Sequence, residues 1–89
     1  MKPIPIQEHE LESFDTSKVI PAVRRIPRQL NEGFGNISDF PTAWSVELRI
    51  ENKQYVLTSF RGKIREWRKL DSLEKWLISK GFIEFHCYL

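Results

Sequence analysis

Five cations crowd into nine residues of this chain: Arg61, Lys63, Arg65, Arg68 and Lys69, set around Trp67 and just after Phe60. Cations at this density attract phosphates, and an exposed ring among them can stack on a base, so residue type and spacing point to a nucleic-acid surface. An acidic protein would satisfy the same charges. Arg24, Arg25 and Arg28 form a second basic set, suited either to the same contact or to pairing with local carboxylates on a solvated face.

The other polar residues assemble no catalytic set. His9 and His86 lie at opposite ends of the chain, and no Cys/His spacing suits a metal ion. His86 and Cys87 are neighbours in a strand pattern, so they point to opposite faces and cannot work as base and nucleophile. Cys87 falls on the apolar side of that pattern and reads as a small core residue. The carboxylates are dispersed, and a domain with one small core has little interior in which to raise the pKa of a general acid. Gly33 and Gly35, in NEGFGNISDFP, read as loop: no strand–helix pair flanks them and no Lys-Ser/Thr follows. The expectation is therefore a binding protein and not an enzyme, with no catalytic residue, metal ligand or cofactor assigned.

Eighty-nine residues make one domain, of a size that buries a little over ~60% of its unfolded surface. With 40% hydrophobic and 29% charged residues the composition is that of an ordinary globule. The net charge of +2 is too small to imply a polyanion partner by itself. Its distribution is uneven: residues 1–43 hold five basic and six acidic side chains, residues 44–89 nine basic and six acidic. Local potential is thus the relevant quantity. A single cysteine excludes an internal disulfide and fits a reducing compartment. MKPIPIQEHELES lacks the apolar core of a signal peptide, and no run reaches the ~18 apolar residues of a membrane span. These features lead us to expect a cytoplasmic protein without a membrane partner.

All five prolines precede Trp44 and divide the chain into an irregular and a regular half. Residues 1–14 read as a flexible or extended arm, leaving 15–89 as a single α+β domain. Asp15 or Ser17 could cap a short helical stretch before Pro21 and Pro27. Trp44, Val46, Leu48 and Ile50 alternate with polar residues, the period-2 signature of a half-buried strand. A turn at Asn52-Lys53 would pair Ile50 with Tyr55, Leu48 with Leu57 and Val46 with Ser59. Val56, Thr58 and Phe60 then form the opposite face. A turn at Arg61-Gly62 would start a third, edge strand that adds Lys63, Arg65 and Trp67 to that outer face and turns Ile64, Glu66 and Arg68 to the helix side.

LDSLEKWLISKG predicts a helix with Asp71 as N-cap, Glu74 completing a capping box and Gly81 as terminator. Its buried stripe would be Leu70, Leu73, Trp76 and Leu77. Ile83, Phe85, Cys87 and Leu89 alternate in a last strand, whose core positions imply that truncation is costly. The order is β-β-β-α-β: a four-stranded mixed sheet of order 3-2-1-4, one helix on one face, and an irregular segment from about Val19 to Phe40 over the other.

Arg61-Gly62, Arg65-Glu66-Trp67-Arg68 and Leu70-Asp71, followed by a terminal strand, resemble the pattern of small accessory proteins of bacterial plasmids and integrative elements, the ParC-family partition-associated proteins. The resemblance covers Tyr55 to Leu89. It implies a mobile-element protein that acts by binding, and it assigns no catalytic residue. The expected function is contact with DNA or a DNA-bound partner through the basic hairpin. A protein-interaction module, an inhibitor or adaptor using a sheet edge or the N-terminal arm, is the alternative; the oligomeric state is open, a homodimer included.

Overall fold

The alternation at Trp44–Ile50 becomes the longest strand of the fold. The computed structural model describes residues 3–27, 42–59 and 62–89. Its elements are β1 (Ile4–Gln7), β2 (Ala22–Pro27), β3 (Thr42–Ile50), β4 (Lys53–Thr58), α1 (Leu70–Ser79) and β5 (His86–Tyr88), with short 3-10 segments at Glu8–Ser13 and Thr16–Lys18. The class is α+β, with one mixed sheet and one main helix. None of the helices in the described residues is long and apolar enough to cross a membrane.

The sheet has five strands in the order β1-β4-β3-β2-β5, not the four expected in the order 3-2-1-4. Two strands account for the difference. Ile4–Gln7, expected as part of an arm, is extended but lies parallel to β4, with Ile6 opposite Leu57 and 1% exposed. It fills the place next to β4 that the third strand was expected to take. Ala22–Pro27, expected to belong to a cover over the sheet, is itself an interior strand between β3 and β5. Its prolines permit this by position: Pro21 precedes the strand and only its carbonyl is used, accepting from His86, while β5 runs beside Ala22–Arg24 and has ended before Pro27. Phe60, Arg61, Arg28 and the loop expected at Asn31–Pro41 lie outside the described residues.

The β3–β4 turn is Glu51-Asn52 and not Asn52-Lys53. Both residues have positive φ, 52° and 66°, the geometry of a type I′ turn matched to strand twist. Ile50 therefore faces Lys53 and Leu48 faces Tyr55. Moving the turn by one residue moves the register by two, so the side-chain parity and the core face are those expected. Val46, Leu48, Leu57, Val23 and Ile6 pack with Leu73 and Leu77 of α1 in one core cluster.

After Thr58 the chain leaves the sheet instead of forming a third strand. Ser59 N–H bonds the Lys63 carbonyl at 2.7 Å, and Gly62, at φ +82°, returns its N–H to Ser59 at 2.9 Å. Arg65 N–H then reaches the Leu57 carbonyl at 3.0 Å, and Trp67 exchanges two backbone bonds with Trp44 at 2.8 and 2.9 Å. Trp67 is 9% exposed and belongs to the helix-side core. The expected outer-face position is thus corrected: burying the indole, the largest apolar surface in this segment, decides its face over local alternation.

The helix starts two residues earlier than Asp71 as cap would allow. Lys69 occupies the cap position and makes no side-chain cap bond, while Asp71 sits in the first turn, where a carboxylate still meets the positive end of the helix. Gly81 ends the helix as expected, at φ +89°. Phe82 N–H bonds the Leu77 carbonyl and Gly81 N–H that of Ile78, both at 3.1 Å, a Schellman motif that turns Phe82 into the core. With Phe82 filling that space, the last strand shrinks to three exposed residues. Cys87 is exposed and not a core residue, and Ile83 and Leu89 are 75% and 92% exposed.

Because Ile6 is buried between β4 and α1, Ile6→Ala should lower unfolding free energy by about 2–5 kcal/mol. Urea denaturation followed by tryptophan fluorescence measures this. A midpoint unchanged from the parent chain would mean that β1 does not hold to the sheet.

Candidate functional site

Glu8 follows β1 directly and is the acceptor for three side chains from distant parts of the chain. Trp76 Nε1 donates to its Oε1 at 2.7 Å, Lys80 Nζ lies 2.9 Å from the same oxygen, and Arg65 Nη1 is 3.3 Å from Oε2. Trp76 on α1 and Lys80 just past its end are one helical turn apart, so both reach the same face. Arg65 is carried there by the backbone bond to Leu57. These contacts hold the carboxylate well below its usual range, from 4.5 to about 2, with the Lys80 hydrogen bond the largest cause, then that of Trp76.

Above this carboxylate lies a stack of rings and a cation. The Trp67 and Trp76 centroids are 5.1 Å apart at 52°, and Trp76 meets Phe82 at 6.4 Å. The Arg65 guanidinium sits 4.8 Å from the Trp67 centroid and 5.4 Å from that of Trp76, within cation–π range of both. The sequence placed Arg65 and Trp67 on a nucleic-acid platform. The structure brings them together, but against α1, where Trp67 is packed in the core cluster and only 9% exposed.

Lys63, Arg68 and Lys69 remain on the surface, at the turn and at the start of α1. An open cleft of about 520 Å³ adjoins Arg68 and Lys69, lined with them by Glu66, Trp67 and Ser72. Arg24 and Arg25 point to opposite faces of β2. Arg24 Nε donates to Glu47 at 2.7 Å and its guanidinium covers the Tyr88 ring at 4.5 Å. Arg25 Nε donates to Thr42 at 3.1 Å and its guanidinium lies 5.5 Å from the Trp44 ring. Arg28 and Arg61, outside the described residues, are not placed.

A second open cleft, of about 310 Å³, is lined by Gln7, Glu8, His9, Thr58, Ser59 and Arg65. Among the described residues no group of three or more His, Cys, Asp or Glu side chains is arranged to hold a metal ion. Sequence reasoning missed Glu8, Lys80 and Thr16, whose hydroxyl donates to the Lys80 carbonyl at 2.6 Å. These contacts span separations of 64 and 68 residues, so no local spacing announces them. The chain matches no protein-family model, no curated protein and no solved structure.

A carboxylate whose pKa is depressed on folding stabilises the fold above its unfolded value and ceases to do so as pH falls through the folded one. The Glu8 contribution should therefore be complete above about pH 4.5 and fade toward about pH 2. Glu8→Gln should be less stable than the parent at neutral pH, and the difference should narrow across that window. Chemical denaturation at a series of pH values checks this; a gap that stays constant down to pH 2 would assign the loss to packing instead of charge.

Proposed function

We propose that this domain acts by binding and not by catalysis, contacting DNA or a DNA-bound partner through the basic rim Lys63, Arg68 and Lys69. The observation that carries the reading is the division of labour among the cations of the segment. Arg65 is held by Glu8 and two indoles, while Lys63 and Lys69 are exposed and form no ion pair with a described residue. Arg65 and Trp67 thereby act as the anchor that presents the rim. Contact by such a rim is phosphate contact, which positions a protein on a duplex without reading its sequence. Placement on a bacterial mobile element follows from the resemblance of residues 55–89 alone.

A second reading, a protein-interaction module acting through a sheet edge, draws on the exposed outer edge of β5. It would use the opposite side of the sheet from the basic rim.

Fluorescence anisotropy with a labelled duplex at low and high salt tests the first reading. Binding should weaken as salt rises, and Lys63→Ala/Lys69→Ala should weaken it further and reduce the log–log salt slope by about 2. Absence of binding at low salt, or an unchanged slope in the double variant, would overturn it. Arg24→Ala, whose guanidinium is engaged by Glu47 and Tyr88, should leave the slope unchanged.

A further inference from the structure

The two edges of the sheet differ in chemistry. The β1 edge carries Pro5 within the strand and Pro3 just before it, residues that remove backbone donors and discourage pairing. The β5 edge has neither proline nor lysine. His86 donates its N–H to the Pro21 carbonyl at 2.9 Å, toward β2. A residue in a parallel ladder turns both main-chain groups to one neighbour and the next residue turns both away, so Cys87 presents its N–H and C=O outward. β5 itself begins at His86; the pairing inferred below continues its alternation backwards through Phe85 and Ile83, which precede the strand. The flanking side chains are apolar and accessible, Ile83 being 75% exposed and Tyr88 47%.

We infer that this edge is a self-association surface, on which a second copy of the chain pairs antiparallel about a two-fold axis at Phe85. That register sets Phe85 against Phe85 of the other copy, Ile83 against its Cys87, and Glu84 against its His86, the last two pairs each occurring twice. The choice of register follows from charge. Sliding one way by two residues places Glu84 opposite Glu84, and sliding the other way places His86 opposite His86. Only the register centred on Phe85 gives each carboxylate an imidazole, and like charges directly opposite are unfavourable. The outward-facing odd residues become the hydrogen-bonded pairs, and the two sheets join into one of ten strands. The inference does not depend on nucleic-acid binding.

Sedimentation velocity across micromolar to millimolar concentrations should show a reversible dimer. Glu84→Lys should weaken dimerisation by roughly tenfold over its two symmetric pairs, and His86→Glu combined with it should restore affinity. The restoration separates pairing from folding defects, which circular dichroism of each variant would also show. A hydrogen-bonded antiparallel pair holds Cα atoms about 5.5 Å apart, within disulfide reach. Ile83→Cys should therefore form a covalent dimer with Cys87 of the other copy under diamide. A chain that stays monomeric throughout the series would overturn the inference. So would a parent chain that crosslinks through its own Cys87 as readily as the variant, since that requires a different register.

Discussion

A single carboxylate joins the two ends of this chain. Glu8 accepts from Trp76, Lys80 and Arg65, and so ties the segment after β1 to the helix and to the excursion that follows β4. An indole N–H in a half-buried position requires an acceptor, and Glu8 supplies it. Lys80 lies just beyond the last turn of α1, where a cation also meets the negative end of the helix. Without Glu8, β1 would rest on a four-residue parallel ladder and the burial of Ile6 and Leu11. With it, the N-terminal segment is fastened to the same face that holds the Trp67–Trp76 stack.

The position of that stack decides what the basic segment can do. Trp67 is drawn to the helix by its own apolar area, and Arg65 follows because the indole faces and Glu8 both favour a guanidinium there. A planar guanidinium can lie on a ring and bond a carboxylate at once, which a lysine ammonium could not reproduce. The remaining cations are left at the ends of the excursion, Lys63 at its turn and Arg68 and Lys69 where α1 begins. The segment is thus divided by physics into an interior half that builds structure and a rim that can meet a charged partner.

What was legible in the sequence was local. The alternation of β3, the hairpin into β4 though not the residues of its turn, the stripe Leu73, Trp76 and Leu77 and the helix end at Gly81 all follow from spacings of two to four residues. β1 and β2 were not legible, because IPIQ offers two apolar residues among prolines and AVRRIP breaks the alternation with paired arginines. Each becomes a strand only when a neighbour supplies its ladder: Leu57 for Ile6, Val46 for Val23. The error at Cys87 has the same origin, since alternation shows which residues share a face and not whether anything covers it. Phe82, turned inward by the Schellman motif, takes the core position that alternation assigned to later residues.

The sheet order also separates the two surfaces to which we assign roles. Lys63 lies on the turn after β4, near the edge that β1 closes, whereas β5 lies three strands away at the other edge. A contact at one does not obstruct the other. In the two-fold pairing inferred for β5, the β4 strands of the two copies stand seven inter-strand steps apart, roughly 34 Å before sheet twist is considered. A rim too small to bind tightly in one copy would, doubled in such a dimer, gain from the second contact being intramolecular.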